Sequence, residues 1–155
     1  MSELNPDFQA WLQSVPSSIT GDAVWKIEAY RLGLYSGDIG WDDVSRTAED
    51  KRTVQPSGQL YRALGSISAN IAEGFSRSSH KDKARLYEYA LGSARESRDW
   101  YYKARHVLGL ELVEERHSVL NQVIRLLLTM IPDQRSYMVR ENSSDYRVDE
   151  DPPAG

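Results

Sequence analysis

Cysteine is absent from the 155 residues, which excludes disulfide staples and thiolate-ligated metal. No apolar run approaches the length that spans a bilayer. The first thirty residues lack the basic start and apolar stretch of a secretory signal. These absences predict a cytoplasmic protein. Histidine is scarce too: His80, His106 and His117 are the whole supply, and none has a serine or carboxylate partner that the sequence places beside it. Glu114 and His117 have the Glu-x-x-His spacing of di-iron bundles, but such centres need a second pair and two further inward glutamates. The chain offers one pair, so a polar helical turn is the better reading. No glycine-rich loop stands before a helix to cradle phosphate, and no nucleophile, base and orienting group can be assembled. The expectation is a non-enzyme with no cofactor, no metal, no small-molecule substrate and no membrane attachment.

What is present is charge, unevenly spread. The formal net charge of −4 hides three blocks. Residues 1–56 carry five Lys/Arg against nine Asp/Glu, residues 57–110 carry nine against five, and residues 141–155 carry one against five. A basic centre lies between acidic flanks. Arg95, Asp99 and Lys103 form an i, i+4 ladder of alternating sign, as on a solvated helix face. Arg77, Lys81, Lys83 and Arg85 differ. They surround an expected helix start, where the helix dipole disfavours positive charge, and they mostly lack local acidic partners apart from Glu88, one turn beyond Arg85. Residues placed against local stability point to a partner that wants them, and these four are the candidate nucleic-acid-binding residues.

The chain is organised around residues 59–105. Leu60, Leu64, Ile67, Ile71 and Phe75 form one stripe at helical spacing, surrounded by Ala63, Gly65, Ser66, Ser68, Ala69, Ala72 and Gly74. Glycine costs helix propensity, so that density of small residues predicts close approach of neighbouring helices. Upstream, Asn5-Pro6 predicts a short helix to about Ser14. A first long helix follows from about Gly21 to residues 48–51, with Ile27, Leu34, Trp41 and Ala48 recurring every seven residues and Tyr30, Gly37 and Val44 filling the seam. Gln55-Pro56-Ser57-Gly58 reads as a turn. A second helix runs from about Gly58 to Phe75, and a third from Ser79, which has capping-box spacing to Asp82, to Leu108. Its inner face is Leu86, Ala90, Ser93, Ser97, Tyr101, Ala104 and Leu108. After Gly109 comes a fourth helix with Val113, Leu120, Val123, Ile124, Leu127, Leu128 and Ile131 inward, which Pro132 should kink or end.

The predicted fold class is all-α: an antiparallel up-down-up-down four-helix bundle with connections at 52–58, 76–80 and 109–111. Residues 1–20 form an N-terminal arm with a short helix, residues 21–140 the bundle, and residues 141–155 a disordered acidic tail. Neighbours on a helix are 100° apart, so Trp100, Tyr101 and Tyr102 cannot all face inward. The surplus of aromatic residues on the first and third long helices predicts a homo-oligomer that uses Trp100 or Tyr102 and parts of the first helix.

Arg62-Ala63, the run 66–74 (Ser-Ile-Ser-Ala-Asn-Ile-Ala-Glu-Gly) and Gly92-Ser93 followed by Glu96 resemble the four-helix-bundle protein family encoded in intervening sequences of bacterial 23S ribosomal RNA. The resemblance spans residues 24–131. It implies structural or interface roles for Arg62, Ser66, Asn70, Glu73, Gly74, Ser93, Glu96, Trp100 and Tyr102. It also implies rings of five subunits, since family members and related retroelement accessory proteins assemble so, and nucleic-acid binding through basic ring surfaces. The functional expectation is an oligomeric accessory protein that binds RNA or DNA backbone through the corner between the second and third helices. The competing readings are a protein–protein adaptor and, behind it, an enzyme using Glu73 as a partly buried acid or base.

Overall fold

A computed structural model describes residues 6–145. Helix α1 (Pro6–Ser14) and a single turn, α2 (Ser17–Thr20), lead through a 3-10 turn at Ala23–Lys26 into α3 (Glu28–Thr47). Then come α4 (Val54–Phe75), α5 (His80–Lys103), the short α6 (Arg105–Leu108) and α7 (Leu110–Asp145). Among the described residues all regular structure is helical. The long helices pack as α3 on α4, α4 on α5, α5 on α7 and α7 back on α3, enclosing one core. None of the described helices is long and apolar enough to cross a membrane.

The α4 stripe is buried as its spacing predicts: Leu60, Leu64, Ile67 and Ile71 are almost wholly inaccessible, while Phe75 is half-buried at the helix end. Small residues permit the close approach. A Cβ added to Gly33 of α3 would stand 2.8 Å from Ile67 Cγ2, and one added to Gly74 would stand 2.9 Å from the Tyr87 ring. At Gly109 the backbone φ is +86°, the left-handed region where glycine carries no penalty. It separates α6 from α7 as a C-terminal glycine should. Ser79 caps α5, its hydroxyl accepting the Asp82 N–H at 3.1 Å.

Several expectations are corrected. The seven-residue register on α3 selects the wrong face: Trp41 and Ala48 are exposed and Leu34 is half-buried, whereas Ala29, Leu32, Gly33, Ser36, Gly40, Asp43 and Thr47 face the core. The register of Leu34 and Trp41 points outward, whereas close helix packing buries the small residues together with Leu32 and Tyr35. Residues 23–26 form a 3-10 turn, so the first long helix starts at Glu28 rather than near Gly21. Gln55, Pro56, Ser57 and Gly58 lie inside α4 rather than in a turn. Proline is tolerated in the first helical turn because its missing N–H would have had no partner. The true connection, 48–53, is held by the Asp50–Arg52 pair at 2.8 Å and by Thr53 Oγ1 donating to the Thr47 carbonyl at 2.5 Å.

On α5 the inward residue is Ala94, with Ser93 half-buried, and the helix breaks at Ala104 before the α6 turn. On α7 Leu128 is exposed. Pro132 does not end that helix, which runs on to Asp145 and so takes in the first five residues of the expected tail. The rest of that tail lies outside the described residues.

Of the arm predicted over 1–20, helix α1 packs on α3 through aromatic residues. Phe8 is buried against Tyr35 and stacked with Trp11 at 5.9 Å, and Trp11 Nε1 donates to Asp38 Oδ2 at 2.7 Å.

Candidate nucleic-acid interface

At the α4–α5 corner the four predicted cations stay on the surface, but they are less available than their spacing implied. Arg77 is paired with Glu73 at 2.6 Å. Lys83 donates its ammonium to the Phe75 carbonyl at 2.8 Å and sits 5.4 Å from the Phe75 ring centre. Arg85 faces Asp82 at 3.6 Å rather than Glu88, because Glu88 is engaged by Arg135 across on α7. Lys81 is exposed, with no ion pair among the described residues. The expectation that these cations mostly lack local acidic partners is therefore corrected for two of the four, Arg77 and Arg85. The C-terminal end of α4 supplies the last carbonyls and Glu73, and a basic residue there finds both.

The residues implied by the family resemblance lie on two helix faces. Ser66 Oγ donates to the Arg62 carbonyl at 2.8 Å and Asn70 Nδ2 to the Ser66 carbonyl at 2.8 Å. Both bonds run back along α4, so Asn70 reaches no neighbouring helix end. Glu73 is exposed rather than partly buried, which removes the burial that an acid–base role invoked. Gly74 is buried against Tyr87, and Ser93 Oγ donates to the Tyr89 carbonyl at 3.0 Å.

Trp100, Tyr101 and Tyr102 do diverge. Trp100 is half-buried, donates Nε1–H to Glu96 at 3.1 Å and carries Lys103 Nζ over its ring at 4.7 Å. It walls a recess of about 120 Å³ whose other sides include Pro56, Leu60 and Ala104. Tyr101 is buried. Tyr102 is 51% exposed, with the Arg105 guanidinium 4.1 Å above its ring.

Tyr102 also edges a groove between α5 and α7 that sequence reasoning missed as a unit, lined by Arg95, Arg98, Asp99, Tyr102 and His117. Arg98 Nη1 donates to Asn121 Oδ1 at 2.9 Å, and His117 Nε2 meets the Arg98 carbonyl at 2.9 Å. A carbonyl only accepts, so Nε2 carries the hydrogen in that contact. His117 thus ties α7 to α5, while Glu114 is exposed. No cluster of three possible metal ligands occurs among the described residues.

Behind the groove lies a second feature the sequence reading missed. Asp43 is 2% exposed. Its Oδ2 accepts from Tyr101 OH at 2.7 Å and from Arg116 Nε at 2.8 Å, and Arg116 Nη2 lies 3.4 Å from Oδ1. Burial draws the Arg116 guanidinium down, but the hydrogen bond and charge of Asp43 outweigh it and hold it above its ordinary value. The Tyr101 hydroxyl is pushed far up, first by burial and then by the charge and hydrogen bond of Asp43. Tyr35 and Tyr87 are raised by burial.

These shifts fix a sign. Above about pH 10 the unfolded chain releases tyrosine protons that the folded chain keeps. The tyrosine contribution to stability is therefore full below about pH 10 and is lost as pH rises beyond it, by up to about 1.4 kcal/mol per pH unit for Tyr101. Urea midpoints measured from pH 8 to 11 should show this slope, and Tyr101→Phe should flatten it; a slope unchanged in that variant would rule out Tyr101 as its source.

The described residues define an all-helical protein whose central hairpin is basic. The sequence pattern of the 23S rRNA-intervening sequence protein family matches residues 41–131, more than half of the chain, and the protein belongs to that family. The match begins within α3, later than the resemblance noted from residue 24, and ends at the same residue. A search of curated proteins finds no match. Among solved structures the chain is similar to a protein of unknown function from the S23 ribosomal protein family of Bacteroides thetaiotaomicron, determined at 1.70 Å. The two share 21% identity with a TM-score of 0.62, over 66% of this chain and 97% of the other. At that identity the likeness speaks for the fold.

Proposed function

We propose that the protein is a cytoplasmic, non-enzymatic, oligomeric accessory protein that binds nucleic acid, RNA in the first place, through phosphate contacts and without reading sequence. In this reading the four long helices alternate in direction as an antiparallel bundle, as their short connections favour. The observation that carries it is the charge blocking: nine Lys/Arg against five Asp/Glu over residues 57–110, between two blocks that are each net acidic. That region is the α4–α5 hairpin with α6. Symmetry in an oligomer would repeat its surface and join small basic patches into a continuous one. Local pairing at Arg77, Lys83 and Arg85 leaves the corner as a source of attractive field, with Lys81 its most available cation.

The test is a mobility-shift or anisotropy series with structured RNA, duplex DNA and an RNA–DNA hybrid at increasing salt. The log–log slope should be about −0.7 to −0.9 per neutralised phosphate. Reversing Lys81, Lys83 and Arg85 to Glu should weaken binding with helicity intact. Affinity that is equal at low and moderate salt would defeat the reading.

A specific observation favours a protein contact as well. Trp41 is 61% exposed and packs edge-on against Tyr61, 42% exposed, at 5.6 Å. With Val44, Ala48 and Gly58 they border a shallow apolar depression between α3 and α4. We assign this face to contact with a second copy of the chain, in a ring of five. Trp41 belongs to the first long helix that the aromatic surplus had implicated.

A further inference from the structure

The groove between α5 and α7 differs from the α4–α5 corner in how its charges are disposed. Its one acidic lining residue, Asp99, is taken by Lys103 at 2.7 Å. Arg95 is exposed and has neither hydrogen bond nor ion pair among the described residues. The Arg98 guanidinium is fixed by a neutral partner, Asn121, so its orientation is set while its charge is not cancelled. Arg105 lies over Tyr102 and donates Nη1–H to the Tyr102 carbonyl at 3.0 Å, again without a carboxylate. Three guanidinium groups, none paired with an acid among the described residues, are thus placed by α5 and the first residue of α6: Arg95 and Arg98 line the groove and Arg105 lies against the half-exposed Tyr102 ring.

An anion is favoured there by charge, and a planar group by the ring. Guanidinium groups suit phosphate oxygens, and aromatic rings offer a stacking surface that tolerates every base. One occupant supplies both chemistries along a line. We infer that the α5–α7 groove seats single-stranded nucleic acid, with Arg95 and Arg98 in the groove and Arg105 beside Tyr102 facing phosphates, and with the Tyr102 ring face opposite Arg105 stacking on a base. This deepens the nucleic-acid reading and rests on it. The corner cations then steer the strand from a distance, and the groove holds it.

The test uses the full chain and fluorescence anisotropy with a labelled 20-nucleotide single-stranded RNA, at two salt concentrations. Arg95→Glu and Lys81→Glu change net charge equally, and both residues are exposed, so they separate groove from corner without disturbing the core. Arg95→Glu should weaken binding about tenfold and reduce the magnitude of the salt slope by about 0.7. Tyr102→Ala, with no change in charge, should weaken it about fivefold or more. Lys81→Glu should cost less than threefold. Inorganic polyphosphate, which has no bases, should compete with wild type and with Tyr102→Ala equally well. Equal losses in Arg95→Glu and Lys81→Glu with no effect of Tyr102→Ala would overturn the groove and leave nucleic-acid binding standing. Failure of the unaltered protein to bind any single strand at low salt would overturn the groove, and failure with structured RNA and duplex as well would overturn the broader reading.

Discussion

Arg116→Ala is expected to lower the unfolding free energy by about 3–5 kcal/mol. The cause is the carboxylate it leaves behind. Asp43 is 2% exposed and takes two of its close donors from Arg116; after truncation only Tyr101 OH at 2.7 Å remains. A buried charge without its partner is among the most destabilising states a core can hold, whereas the intact pair is itself of little net worth. The Arg116 side chain is 19% exposed, so some water follows the truncation and the lower half of the range is expected. Against a total stability of about 5–15 kcal/mol for a domain, that is a large share. Replacing both partners, Asp43→Leu with Arg116→Met, should cost far less than Arg116→Ala alone. Urea denaturation monitored by circular dichroism decides it: a double variant as unstable as the single one would refute the desolvation argument.

Trp41→Glu is expected to abolish self-association, turning an oligomer into a 17.6 kDa species in light scattering at micromolar concentration. Large aromatic residues at the centre of an interface commonly cost about 2 kcal/mol or more on truncation, roughly 30-fold in each contact's dissociation constant. A charge placed in the same apolar depression adds desolvation to that loss. Because Trp41 is 61% exposed in the single chain, the substitution should leave the urea midpoint of the monomer nearly unchanged. Tyr61→Ala should act in the same direction with smaller effect. Unaltered protein that is already a monomer at that concentration would remove the ring. An oligomer indifferent to Trp41→Glu would move the interface to another face, with Tyr102 the next residue to test.

Helix identity was legible wherever large apolar residues carried the periodicity, as on α4 and on α7 between Val113 and Ile131. It failed on α3 for a physical reason. Beside Leu32 and Tyr35 the buried face there holds Ala29, Gly33, Ser36, Gly40, Asp43 and Thr47, which score poorly as hydrophobic yet recur at steps of three and four. Small residues, which signal close packing on α4, are also spread along α3. A Cβ on Gly40 would stand 2.4 Å from Leu64 Cδ1. The same oversight concealed Asp43, since a carboxylate on a face assigned to solvent raises no question. The basic corner was visible as sequence spacing, but the pairing of Arg77 with Glu73 and of Arg85 with Asp82 depends on side-chain direction, which spacing leaves open. The α5–α7 groove joins residues 95–102 to His117 across a loop, and the sequence pattern groups Arg95 with Asp99 and Lys103 on a solvated face.

The Asp43–Arg116 pair has a further consequence, for the order in which the chain folds. Helices that follow one another in sequence pack together through α3, α4, α5 and α7, and these pairings close short loops. The contact of α3 with α7 closes the longest one, joining residues 73 positions apart. Short loops close at lower entropic cost than long ones. The α4–α5 hairpin, with its small-residue seam, is then expected to form first, and the ionic clasp across α3 and α7 after the rate-limiting barrier. On that account losing Arg116 hastens unfolding and leaves the refolding rate almost untouched. The clasp works as a latch on the lifetime of the folded bundle rather than as a guide to its assembly.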